Sequence, residues 1–106
     1  MMNEKLHRRR ARRAWPKLVA AAKHGETVSY SDLSASIGEH WRAASWFLGV
    51  IQRYCAEMGL PRLQALAVNK RTRVPGKGYA GKRGKRAHRR EIDRVRAASW
   101  PAKAPF

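Results

Sequence analysis

The chain has 106 residues, 43% of them hydrophobic, and 24 Lys and Arg against 7 Asp and Glu give it a formal net charge of +17 at pH 7. That length holds one small domain rather than two, and the apolar share suffices for a modest core. A compact chain this basic repels itself, which points to a polyanionic partner: nucleic acid first, an anionic membrane surface second.

The opening stretch MMNEKLHRRRARRAWPKLVAAAKHG is basic but contains no apolar run of signal length. Neither a signal peptide nor a membrane span is expected, which favours a cytoplasmic location, at the nucleoid if the partner is DNA. Residues 1–14 read as a basic N-terminal arm. Pro16 suits the first turn of a helix, where its missing donor costs nothing. A helix is predicted over residues 16–23, with Leu18, Val19 and Ala22 on its apolar side and Gly25 as its stop. The Arg-rich residues before it either extend that helix or stand free of it.

ETVSY reads as a short strand. Ser31 is the expected N-cap of the next helix, SDLSASIG, in which Leu33 and Ile37 share a face and Gly38 closes the end. EH forms a turn. From residue 41 to 58 a long helix is predicted, because Ala44, Phe47, Leu48, Ile51, Tyr54, Cys55 and Met58 recur at spacings of three and four. Its other side carries Arg42, Ser45, Trp46, Gly49, Arg53 and Glu57. Trp41 is assigned to the core or to packing against the first helix. Gly59 and Pro61 end the segment.

RLQALAVNK alternates Leu63, Ala65 and Ala67 against Gln64, Leu66 and Val68, which suggests a strand with one buried face. NKRTRVPGKGY follows as a basic turn leading into a second short strand or a loop, and AGKRGKR as a flexible linker. AHRREIDRVRAASW forms a terminal helix with Ile92 and Val95 on one side, and PAKAPF a tail. Residues 15–80 thus make the folded domain and 81–106 a basic linker with a terminal helix and tail. The fold class is α+β, mainly α. The element order is that of a small winged helix-turn-helix, with the long helix for recognition and NKRTRVPGKG as the wing.

The charge is segregated. Residues 25–69 hold Arg42, Arg53 and Arg62 against Glu26, Asp32, Glu39 and Glu57, a net of −1. Six basic residues fall in residues 5–13 and twelve in residues 70–96, the latter against Glu91 and Asp93 alone. A near-neutral core between basic ends suits a protein that grips phosphates, since each neutralised phosphate releases a counterion.

GETVSYSDLSASIG followed by RAASWFLG resembles the DNA-binding domain of the alkylguanine-DNA alkyltransferases and alkyltransferase-like proteins, through Gly25, Val28, Ser29, Tyr30, Leu33, Gly38, Arg42 and Ala43. The resemblance covers about residues 16–79. It implies a winged helix in which Tyr30 and Arg42 serve minor-groove binding and extrusion of a nucleotide. The family's Pro-Cys-His-Arg nucleophile motif is not present: Pro61 is followed by Arg62. Alkyl transfer is therefore not implied. The large Trp46 also disturbs the small pair that lets the family's helix approach DNA closely.

Other chemistry finds little support. His7, His24, His40 and His88 are scattered without metal-ligand spacing, no Ser-His-Asp order or carboxylate pair stands at useful spacing, and GKGYAGKRGK lacks the P-loop pattern. Cys55, the single cysteine, can form no intrachain disulfide and is a small core residue. No cofactor is expected, and an enzyme is disfavoured.

The expected function is non-catalytic binding of nucleic acid, duplex DNA first, with RNA left open. Arg42, Ser45 and Arg53 would meet the groove, with Tyr30 added by the resemblance. Lys70, Arg71, Arg73 and Lys77 would meet phosphates from the wing, and Lys82, Arg83, Lys85 and Arg86 from the linker. Trp46 reads either as a stacking or partner-contact residue or as a ring covered by a terminal arm. Two alternatives stay open. One is a small basic protein of the phage or mobile-element type that modulates a polymerase, nuclease or ribosomal component through Trp46. The other is a sensor that binds alkylated DNA without repairing it.

Overall fold

A computed structural model describes residues 4–76, 78–82 and 84–106. They form four helices and one two-stranded sheet: α1 (Glu4–His24), β1 (Val28–Ser29), α2 (Tyr30–Ser36), α3 (Ala44–Glu57), β2 (Ala67–Val68) and α4 (Lys85–Ala97). Short 3₁₀ turns at Trp41–Ala43 and Leu63–Leu66 lead into α3 and β2. The class is α+β and mainly helical. Among the described residues no helix is long and apolar enough to cross a membrane.

The Arg-rich N-terminal residues extend the first helix, and α1 runs through Pro16 instead of starting there. The reason is burial on both sides of the proline. Ala11, Ala14, Trp15, Leu18, Val19 and Ala22 form one stripe at helical spacing, and all are buried. The exposed face carries the arginines. Glu4 in the first turn and Lys23 and His24 in the last complement the helix dipole.

Ser29, one residue before α2, caps that helix: its Oγ accepts the Asp32 N–H at 3.0 Å, while the expected cap, Ser31, lies inside the helix. Gly38 adopts φ +73 and so turns the chain out of α2. On α3, Ala44, Phe47, Leu48, Ile51 and Cys55 are buried as the periodicity predicts, whereas Met58 is exposed. Trp41, expected in the core or against the first helix, is 57% exposed.

The strand expected over residues 63–68 shrinks to two residues. Leu63–Leu66 is a 3₁₀ turn, and all six side chains from Leu63 to Val68 are buried regardless of parity. The alternation in sequence thus did not mark two faces. β2 pairs with β1 in parallel, Val28 opposite Ala67 and Ser29 opposite Val68.

Both C-terminal segments are docked. His88 bonds the Ala65 carbonyl through Nε2 at 2.7 Å, and the buried Glu91 accepts the Arg62 N–H at 2.7 Å, which fixes α4 against the second 3₁₀ turn. The final residues, expected as a tail, return to Trp15. Its indole N–H donates to the Pro101 carbonyl at 2.8 Å, and its ring meets Tyr54, Trp100 and Phe106 edge-on at 5.7–5.9 Å. Arg12 Nε donates to the main-chain oxygen of Phe106 at 2.8 Å.

Two stability outcomes follow. Pro16→Ala restores a backbone hydrogen bond within α1 and raises stability in urea unfolding, by up to about 3 kcal/mol. Trp15→Ala removes the centre of the aromatic cluster and lowers it by about 3–5 kcal/mol, or unfolds the chain. A destabilised P16A variant would contradict a helix continuous through that position.

Candidate nucleic-acid interface

The exposed face of α3 carries Ser45, Trp46, Gly49 and Arg53, with Arg42 just before it. Two basic segments frame this face. On one edge, α1 lays His7 flat on Trp46, with ring centroids 5.1 Å apart and planes 8° from parallel. Trp46 nonetheless stays 49% exposed, so it is both packed and available. Nearby, Arg10 pairs with Glu39 at 2.8 Å, tying the arginine-rich half of α1 to the turn that precedes the first 3₁₀ segment. On the other edge, Gln52 Oε1 accepts the Ala80 N–H at 3.0 Å and holds down the segment expected to be a free linker.

Arg42 sits in the 3₁₀ turn that opens the helix. Its N–H donates to His40 Nδ1 at 3.1 Å, and its guanidinium lies 5.6 Å from the centre of the exposed Trp41 ring. A cation over an indole face at this range is attracted by the ring quadrupole. Arg42, Trp41, Ser45, Gly49 and Gln52 form one side of a cavity of 220 Å³, and Tyr30, Gly76 and Tyr79 the other. It is many times the roughly 10–15 Å³ that one water needs. The lining is largely apolar and aromatic. At its back, Gln64 Nε2 donates to Gln52 Oε1 at 3.4 Å, and Gln64 Oε1 is buried without a hydrogen-bond partner.

Tyr30 closes this cavity from α2. Its hydroxyl accepts the Gly76 N–H at 2.7 Å. Burial pushes the phenol pKa up, partly offset by that bond, so the group stays neutral. Burial, then the Glu91 carboxylate, pushes Tyr79 up to about 12, against the Arg62 and Arg94 guanidiniums. Gly81 lies so close to the Tyr79 ring that a Cβ there would meet it at 2.4 Å.

The basic residues after β2 form a hydrogen-bonded loop. Asn69 Oδ1 accepts the N–H groups of Arg71 and Thr72, its carbonyl accepts that of Arg73 at 2.8 Å, and its own N–H donates to Val74 at 2.9 Å. Arg73 takes a left-handed φ of 60, uncommon outside glycine, and reaches Thr27 Oγ1 at 3.0 Å. Lys70, Arg71 and Arg73 are exposed, beside the turn before β1 rather than directly on α3. Lys77 and Arg83 lie outside the described residues. Lys82 is exposed near α4, and Lys85 and Arg86 project from its first turn.

The structure therefore brings Tyr30, Arg42 and Ser45 together around one cavity. Trp46 and Arg53 share the α3 face but do not line that cavity. Trp41, Gln52, Gln64 and Tyr79 belong to the site and escaped the sequence reading. Gln52 alone carried a signal, since it lies seven residues after Ser45 and so on the same helical stripe. Cys55 is buried, and burial pushes its thiol pKa up, which disfavours the reactive thiolate. No family model matches the chain, and comparison with curated proteins and with solved structures also found no match.

Tyr30→Phe removes the acceptor for the Gly76 N–H. We expect a loss of about 1 kcal/mol in urea unfolding, with amide exchange faster at Gly76 and unchanged in α3. Gly81→Ala displaces the Tyr79 ring and changes the NMR shifts of residues around the cavity. Unaltered ring shifts in that variant would contradict the packing of residues 79–81.

Proposed function

We propose that the protein binds duplex DNA without catalysis, through the exposed α3 face and the basic segments on either side of it. The observation that carries this reading is the framing of that face: Arg53 on α3 and Arg42 in the turn that opens it stand between the arginine-rich half of α1 and the chain around Ala80. Cations distributed this way meet phosphates while the helix meets a groove. In this reading α2, its turn and α3 act as a helix-turn-helix. The Asn69-centred loop takes the place of a wing, with hydrogen bonds to the side chain and main chain of one residue where antiparallel strands would otherwise hold it.

A second reading, a sensor of alkylated bases that does not repair them, is favoured by the cavity itself. Its walls are the aromatic rings of Trp41, Tyr30 and Tyr79, and Arg42 stands at its side. Aromatic and apolar walls suit a flat heterocycle turned out of the stack. The unpaired Gln64 Oε1 behind them suits a ligand donor.

Fluorescence anisotropy with a random duplex, a structured RNA and a duplex containing an alkylated guanine tests both. We expect duplex binding that weakens steeply with salt, the slope of log K against log salt growing by about −0.9 for each phosphate neutralised. Reversing the charge of Lys70 and Arg71 weakens binding to all duplexes alike, and Arg42→Ala changes preference or DNA bending. Tighter binding of the alkylated duplex selects the sensor reading. No duplex binding at low salt sinks both and leaves Trp41 and Trp46 as a protein-contact surface.

A further inference from the structure

A second cleft, of 330 Å³, lies on the far side of Tyr79, between the Arg62 turn and α4. Arg62, Lys82, Arg90 and Arg94 line it, and Glu91 is the only acid among its lining residues. Four cations to one carboxylate is the reverse of what a structural ion-pair network needs. Glu91 is moreover already used within the fold. Its Oε2 accepts the Arg62 N–H at 2.7 Å, and its Oε1 lies 3.2 Å from Arg94 Nη1 and 3.7 Å from Arg62 Nη1. The carboxylate is buried, so it works as an anchor that aims two guanidiniums and leaves their remaining donors unspent. Among the described residues neither Lys82 nor Arg90 has an acid within 4.0 Å.

Holding four like charges in one concave place costs energy that the single Glu91 carboxylate offsets only in part. A group with several acceptor oxygens and negative charge would offset it, and the planar forks of Arg62 and Arg94 match phosphate oxygens. The Tyr79 hydroxyl, on the wall shared with the first cavity, stays protonated and is available as a neutral donor.

We propose that this cleft is a phosphate-binding site, built by Arg62 and Arg94 on the Glu91 anchor and completed by Lys82 and Arg90. Its occupant is a phosphodiester of a strand lying across α3. Tyr79 would then separate a base-sized cavity from a phosphate-sized one. The identity of the occupant rests on the DNA-binding reading, whereas the anion site itself does not.

Two arms separate these. The first measures duplex affinity against salt for the wild type, for K82A/R90A, and for K17A/K23A as a control of equal charge on α1. Lys17 borders a different cleft, beside Asp32 and Ser36, and all four residues are exposed. We expect the salt slope to fall by about one to two in K82A/R90A and to stay unchanged in the control. The second arm follows the arginine Nε–Hε resonances while inorganic phosphate replaces chloride at constant ionic strength. Saturable shifts at Arg62 and Arg94 in the wild type, lost in K82A/R90A, are expected.

A slope loss confined to K82A/R90A supports the phosphodiester occupant. Saturable phosphate shifts without that slope loss keep the site and assign it a free phosphate. If duplex binding is absent altogether, those shifts leave the site standing and only the DNA reading fails. No phosphate shift, together with equal slopes in both variants, overturns the site.

Discussion

The edge-on cluster around Trp15 is the interaction on which the other features depend. Trp15 sits midway along α1, fully buried, and gathers Tyr54 from α3 with Trp100 and Phe106 from the C-terminal residues. A buried aromatic of this size contributes most by removing apolar area from water, and each favourable edge-on pair adds about 0.5–1.5 kcal/mol. The indole N–H is also satisfied, by the Pro101 carbonyl. One side chain thereby holds α1 and the residues from Trp100 to Phe106 on the same body. Through α1 it also steadies the helix half that borders the exposed α3 face.

That arrangement works against electrostatics. The central residues are close to neutral, so nearly all of the +17 charge lies on α1, the loop after β2, and α4 with the residues leading to it. Two unit charges 10 Å apart in water repel by about 0.4 kcal/mol, and physiological salt screens beyond about 8 Å. Each pair is weak, but the pairs are many. A polyanion that binds the folded state removes this repulsion and so stabilises it by mass action. The same charge that destabilises the free protein would therefore drive the binding proposed above.

The parts of the fold legible in the sequence are those governed by local periodicity. The α3 core face could be read from Phe47, Leu48, Ile51 and Cys55, and the helix stops from Gly38 and Gly59. The misreadings occurred where tertiary contacts override local preference. Pro16 marks a helix start by its own chemistry, yet Ala11, Ala14 and Trp15 are buried on the same stripe as Leu18 and outweigh it. Leu63, Ala65 and Ala67 set against Gln64, Leu66 and Val68 suggest one buried face, but the segment is covered on all sides, so parity carries no meaning there. PAKAPF has no period at all, and nothing local foretells that Trp15 captures Pro101 and Phe106. Within the site, Tyr30, Arg42 and Ser45 were legible from a resemblance or a helix face. Tyr79, Gln64 and Arg62 were not, because their roles arise from contacts between segments distant in sequence.

Binding through the α3 face requires the basic half of α1 to be a fixed wall beside α3 rather than a loose arm. Native-state amide hydrogen exchange reads this directly in the free protein. The account predicts that the amides from Ala11 to Trp15 are protected to about the same degree as those from Phe47 to Ile51 at the centre of α3. Exchange at Ala11 to Trp15 near the rate of an unstructured peptide, with α3 still protected, would contradict it.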